Sequence, residues 1–326
     1  MFRRFLPIIA VIVFGFFIGF FLMGKLTSIS KPPVVAITQI APHPSLDQIR
    51  QGIIETLMSK GIKESDILFQ NAQGSQATAL QIAQKFVSLK PKIIIPITTP
   101  SAQSVYSQAK PAGIPVIFSA VSDPEGAKLF DPEEKSELIA GVSDLSPVDQ
   151  QASLIREILP KAKNVGVIFN AGEANSVTLI DKFEAEAKKN DLTIIRATIS
   201  STNDVSSATN SLIGKVDAIY IPNDNTTISA LESVLKITNN NKLPVFTADP
   251  QSVSRGAIAS ISHNQYDLGR QTGLLAMSYL SGEHAISVMG VQTPKNIELV
   301  INLKVAHTFG IELDDNLLKR STYTLR

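Results

Sequence analysis

The sequence predicts an α/β fold: two similar, doubly wound parallel-sheet lobes with a cleft between them, preceded by an N-terminal hydrophobic helix. Three observations carry this. Short continuous runs of β-branched residues alternate with amphipathic helical stretches, as strands do when helices cover both faces of a sheet. The alternation restarts after about 130 residues, too long a period for a solenoid repeat. Ahead of it, Phe5–Met23 runs without a charge between Arg3-Arg4 and Lys25.

That apolar run is about the length of a bilayer-spanning helix. It is long for the core of a cleaved signal, and residues 24–28 offer no strong small-x-small cleavage site. Residues 1–30 are therefore expected to be a signal peptide or signal anchor, with anchoring by residues 5–23 favoured. Arg3-Arg4 keeps the N-terminus in the cytoplasm and sends the rest outside, to the periplasmic or extracytoplasmic face.

The first lobe is expected over residues 34–143, with a return segment at about 249–282. Val34–Ile37 is a buried strand. Ser45 reads as an N-cap, and Leu46, Ile49, Ile53 and Leu57 follow at helical spacing up to Gly61. Ile67–Phe69 is a strand, and Ser75 caps a helix carrying Ala79, Ile82, Ala83 and Phe86. Lys92–Ile97 is a strand, Pro100–Lys110 a helix and Pro115–Phe118 a strand. Residues 138–147 form the first passage between the lobes.

The second lobe is expected over residues 147–246, with a return segment at about 286–326. Its strands are Asn164–Phe169, Leu192–Ala197, Val216–Ile221 and Pro244–Phe246. Its helices are Ser176–Asn190, Asp204–Gly214 and Thr226–Asn239. The repeat extends to residues: Lys92–Ile97 with Pro96 and Asp217–Ile221 with Pro222 each lead into a polar turn and helix, and Ile114-Pro115-Val116 parallels Leu243-Pro244-Val245. Three crossings are expected, near Gly141–Ser146, Phe246–Asp249 and Gly282–Met289.

Composition removes several function classes. Thirty Lys plus Arg against 29 Asp plus Glu leave a net charge of +1, so no global field attracts nucleic acid. Hydrophobic residues at 44% and a mean hydropathy of +0.14 exclude a disordered chain. The absence of Cys excludes disulfides, thiolate chemistry and a lipidated cysteine. The four histidines, His43, His263, His284 and His307, show no metal-ligand spacing, and neither metal nor cofactor is expected. There is no GxSxG elbow, no P-loop and no GxGxxG, which argues against an enzyme. Trp is absent and seven of the fifteen Phe lie within residues 1–23, so a stacked carbohydrate is disfavoured.

Doubly wound sheets bind ligands beyond the carboxyl ends of their strands. The residues there are small and polar, and helix starts at Pro100 and Thr226 aim free N–H groups at the same crevice. Such residues also serve as helix caps, so each alone is ambiguous. As a set facing one interlobe cleft, they mark a ligand site.

At these loops the sequence resembles the substrate-binding proteins of ABC importers, in the branch with tryptophan- and tyrosine-associated members. The matching blocks in the first half are His43-Pro44-Ser45-Leu46-Asp47, Asn71-Ala72-Gln73-Gly74, Thr98-Thr99-Pro100-Ser101-Ala102 and Ile117–Pro124. Gly166–Asn170, Glu173-Ala174-Asn175-Ser176, Val216–Tyr220, Asp224-Asn225 and Tyr266–Gly273 occur in order in the second half. The likeness spans about residues 34–311. It implies a periplasmic-binding-protein type I fold closing on a small ligand, an amino acid or related polar molecule. It also implies delivery to permease and ATPase subunits on other chains. The chain departs from the pattern at Gln265, where relatives often carry an aromatic.

For an α-amino acid, Thr98, Thr99, Ser101 and Ser119 are expected to meet the carboxylate, and Asp249, Asp224 and Glu173 the ammonium. Asn71, Gln73, Asn170, Asn175, Asn223 and Asn225 are orienting amides, and His43 lines the entrance. The alternative is a membrane-tethered sensor acting through a partner protein, although residues 1–4 leave no room for an output domain before the helix.

Overall fold

A computed structural model describes residues 32–131, 133 and 136–325. The expected helix at residues 5–23 lies outside them. Among the described residues no helix is long and apolar enough to cross a membrane.

The first half runs β1 (Val35–Gln39), α1 (Pro44–Ser59), β2 (Ile67–Asn71), α2 (Gln76–Leu89), β3 (Ile93–Ile97), α3 (Thr99–Ala109), β4 (Val116–Ser119) and β5 (Ile139–Val142). The second half repeats the pattern with α4 (Val148–Ile158), β6 (Asn164–Asn170), α5 (Ala174–Lys189), β7 (Thr193–Ile199), α6 (Val205–Leu212), β8 (Ala218–Ile221), α7 (Asn225–Ser229), α8 (Leu231–Asn240), β9 (Val245–Thr247), α9 (Gln251–Arg255) and β10 (Ala259–His263). The chain ends with α10 (Gln265–Leu280), α11 (Ile286–Met289), β11 (Val291–Gln292), β12 (Ile297–Asn302), α12 (Leu303–Phe309), α13 (Asp315–Arg320) and β13 (Tyr323–Leu325).

Two sheets result. The first has the order β11-β5-β4-β3-β1-β2 and the second β13-β12-β10-β9-β8-β6-β7. Each contains the same doubly wound sequence of strands, second-first-third-fourth-fifth, which the internal repeat predicts. Pairing is parallel throughout except between β10 and β12. The central strands β1, β3 and β4 are buried at every residue, whereas the edge strands β2 and β7 are half-exposed.

Each sheet is covered on both faces. On β6, Val165, Val167 and Phe169 pack with Phe183 and Ile155, while Ile168 points to the opposite side among Ile219, Ile221 and Val234. Tyr220 stacks on Phe183 at 3.9 Å and donates to Gln151 Oε1 at 2.6 Å, so its buried hydroxyl is satisfied. In the first lobe α1 lies directly against α10. A Cβ on Gly269 would stand 2.1 Å from the Ile49 carbonyl, and one on Gly52 2.3 Å from that of Tyr266. Only glycine permits that approach.

The chain passes between the sheets at residues 143–147, at Asn264 and at residues 293–296. The first agrees with the expected position. The second does not fall at Phe246–Asp249, because β9 continues through α9 to β10 in the same sheet, with Phe246 paired to Ala259. The third does not fall at Gly282–Met289, because β11 closes the first sheet by pairing Val291 with Gly141. The return to the first lobe thus covers residues 265–292 rather than 249–282, and the final return begins at Ile297 rather than 286.

Candidate ligand-binding cleft

The carboxyl ends of both sheets face one another across a cavity with about 380 Å3 of space between atoms, open solvent included. The first lobe contributes His43, Ser45, Leu46, Ile49, Thr98, Thr99, Ala120 and Ser122. The second contributes Asn175, Asn223, Asn225, Ile228 and Asp249, the first crossing adds Asp144, and Gln265 joins from the start of α10. A wider groove of about 1590 Å3 lies next to it, lined by Gln73, Gln76 and Pro100 from one lobe and Asn170, Glu173 and Thr226 from the other. Asn225 belongs to the walls of both.

Local chain geometry turns these groups inward. His43, in extended conformation, is the N-cap of α1, with Pro44 opening the helix where no backbone donor is needed. Ser45, expected to be the cap, sits instead in the first turn, and its hydroxyl reaches across the cleft to donate to Asp249 Oδ1. Thr98 precedes α3 at φ 79° and ψ 160°, and Ala120 follows β4 at φ 55°. The Thr98 conformation is one that β-branched residues avoid. Such strain is held by its surroundings and concentrates at ligand sites.

Several polar atoms in this lining have no hydrogen-bond partner. They are Thr98 Oγ1, Thr99 Oγ1, Asn175 Oδ1 and both ring nitrogens of His43, on residues no more than 6% exposed. Buried polar groups are otherwise almost always paired. Burial holds the His43 pKa below its ordinary value, against the pull of the Asp249 carboxylate. The neutral ring offers one donor and one acceptor. Asp249 also accepts from the backbone N–H of Ser252 at 3.1 Å and from its hydroxyl.

The structure therefore brings His43, Thr98, Thr99, Asn175, Asn223, Asn225 and Asp249 to one cavity. It does not bring the other expected residues there. Asp224 caps α7 and accepts from Asn170 N, Ser176 Oγ, Thr227 N and Thr227 Oγ1 at 2.6–2.7 Å, which uses its acceptor capacity. Glu173 likewise accepts from Asn225 N and Nδ2 and from Thr226 N and Oγ1 at 2.6–3.1 Å. Burial, then the neighbouring Asp224, pushes its pKa up to about 7. Neither carboxylate is open to a ligand ammonium. Ser119 is bonded to Thr272 at 2.8 Å on the α10 side, and Ser101 is buried without lining the cavity. Asn71 closes a turn onto Gln73 N at 2.8 Å, while Gln73 and Asn170 face the outer groove.

Ser45, Ser122, Asp144 and Gln265 complete the polar lining and were not among the expected contacts. Ser122 stands in the loop after β4, and Gln265 at the position where the family pattern is broken. Asp144 lies in a segment read only as a crossing. Among the described residues no three His, Asp or Glu side chains group as metal ligands.

Comparison with known proteins adds to this geometry. The family described as ABC transporter substrate binding protein matches residues 34–325. A tyrosine-binding protein of Clostridioides difficile is 39% identical over 283 residues, 86% of this chain and 81% of that one. The structure of an ABC domain from Streptococcus pneumonia in complex with L-Trp is 32% identical, with TM-score 0.85, over 89% of this chain and all of that one. The ligand-free, open structure of a substrate-binding protein with adhesive properties from Clostridium difficile is 36% identical. Its TM-score is 0.66 over 90% of this chain and 99% of that one.

Proposed function

Because the chain belongs to the family of ABC transporter substrate-binding proteins, we propose that its cavity captures a free α-amino acid with an aromatic side chain outside the cytoplasm and passes it to a permease and ATPase on other chains. One observation carries this reading: five buried polar atoms on four residues, from both lobes, converge on the cavity without partners. The Thr98 and Thr99 hydroxyls and the free N–H groups opening the 11-residue helix α3 suit a carboxylate. Asp249, with acceptor capacity remaining, suits the ammonium. Leu46, Ile49, Ala120 and Ile228 offer an apolar surface to a ring. The tyrosine-binding and L-Trp-bound relatives support an aromatic side chain.

Transport by such a protein needs two states. A ligand touching both lobes binds the closed state better and shifts the population toward it. At comparable identity, the arrangement here is nearer to the L-Trp complex than to the open, ligand-free relative. Two bonds cross the cleft beside the cavity, Ser45 to Asp249 and Gln251 Nε2 to Gln48 Oε1 at 3.0 Å. The apolar run at residues 5–23 fits an export signal or an anchor, and its cleavage state is read by N-terminal sequencing of the mature protein.

Calorimetric titration with L-tyrosine and L-tryptophan tests the function. Saturable binding accompanied by a smaller radius of gyration in solution scattering is expected. No heat and no thermal stabilisation with either would refute it. A ligand at a hundredfold excess over its Kd stabilises by about 2.7 kcal/mol, which a melting curve resolves.

A further inference from the structure

With an amino acid as the ligand, the reading on which this inference rests, the cavity holds more acceptor capacity than the ligand's backbone uses. Two carboxylates line it, Asp249 and Asp144, and no lysine or arginine among the described residues does. The two sit in separate neighbourhoods. Asp249 acts on His43 and is tied to Ser45. Asp144 is held by Ser122 Oγ at 2.7 Å and Asn223 Nδ2 at 3.1 Å, and the titratable side chain acting on it is His263.

An ionised carboxylate has room for about four hydrogen bonds. Asp144 takes two, from Ser122 and Asn223, and at 7% exposure it has little access to bulk water for the rest. A zwitterion brings one ammonium and one carboxylate. Asp249 and the start of α3 occupy both, so Asp144 faces whatever the side chain presents. A hydrocarbon there would leave a buried acceptor short of a partner, whereas a donor completes it. Burial pushes the Asp144 carboxyl above its ordinary range, with Ser122 opposing, and a ligand O–H or N–H would oppose it further.

We propose that Asp144 determines specificity by accepting a hydrogen bond from an O–H or N–H on the ligand's side chain. The cleft then takes an amino acid bearing a phenol or an indole in preference to one bearing a plain phenyl ring. Ser122 and Asn223 are its positioning residues. The unpartnered Thr98, Thr99 and Asn175 atoms in the same lining mark the surrounding cavity as built for a ligand.

The test is calorimetric titration of the full chain with L-tyrosine, L-tryptophan and L-phenylalanine, for the natural sequence and for Asp144→Asn. L-phenylalanine should bind at least about tenfold more weakly than the better of the other two, since sites built around a ligand donor reject analogues lacking it. Asp144→Asn should shrink that ratio, chiefly by weakening the better ligand. Equal affinity for all three in the natural protein would overturn the proposal while leaving the amino-acid reading intact. So would an equal loss for all three in the variant, which would assign Asp144 to the ammonium. Binding of none of the three overturns both. If Asp144→Asn does not fold, the three-ligand comparison on the natural protein decides alone.

Discussion

Two pairs of buried carboxylates flank the cleft, and they differ in one respect. Asp224 and Glu173 each accept four hydrogen bonds from α7 and its neighbours. Asp249 accepts three and Asp144 two, and both line the cavity. All but Asp144 stand just beyond strand ends of the second lobe. Burial and position thus do not separate the two pairs; under the proposed function, unused acceptor capacity does. The saturated pair builds the wall: by gripping Asn225 and Thr226, Glu173 fixes the one residue shared by cavity and groove.

The sharpest way to break this comparison is to remove one acid from each pair. Asp224→Ala leaves four donors inside the second lobe without their acceptor, and should cost about 3 kcal/mol or more of folding stability. Denaturant unfolding without ligand measures it. Asp249→Asn should fold and instead lose about tenfold to hundredfold in affinity for an amino-acid ligand, the worth of a hydrogen bond to a charged group. If the two variants exchange phenotypes, the assignment of wall and site is reversed.

A smaller effect comes from Thr99→Val. Its hydroxyl has no protein partner, so the ligand-free melting temperature should hold or rise slightly. Affinity should fall by about 1–2 kcal/mol as the ligand carboxylate loses a donor. Destabilisation of the free protein would show that the hydroxyl serves the fold.

The smallest concerns pH. The folded pKa of Glu173, about 7, lies above its ordinary 4.5, so the folded state binds more protons between those values. Its contribution to stability is complete below the ordinary pKa and lost as pH rises through 7. Stability measured across that window should decline with pH, and Glu173→Gln should flatten the decline. An identical slope in the variant would remove Glu173 from the titration.

The framework was legible where the signals are local. The buried strands β1, β3, β4, β6 and β8 read directly from their apolar runs, and Ser75 caps α2 as its position predicts, accepting from Thr78 N at 3.2 Å. The repeat announced two sheets wound alike. Strands β5 and β10 were not read, because Ile139–Val142 is short and Ala259–His263 carries two serines and a histidine.

The sequence by itself determined that two doubly wound lobes would form and that small polar loops would meet between them. Periodicity and turn chemistry act over a few residues, and a single chain displays them openly. Tertiary structure alone decided which of those loop residues remain free. Asp224 is closed off by partners up to 54 residues away, and Asp249 is bridged to Ser45 across 204. Asp144 enters the site because the crossing forms part of the cavity lining. Hydrogen-bond satisfaction is a property of the packed neighbourhood, so identical residue types at similar strand ends divide into wall and site only once the lobes face each other.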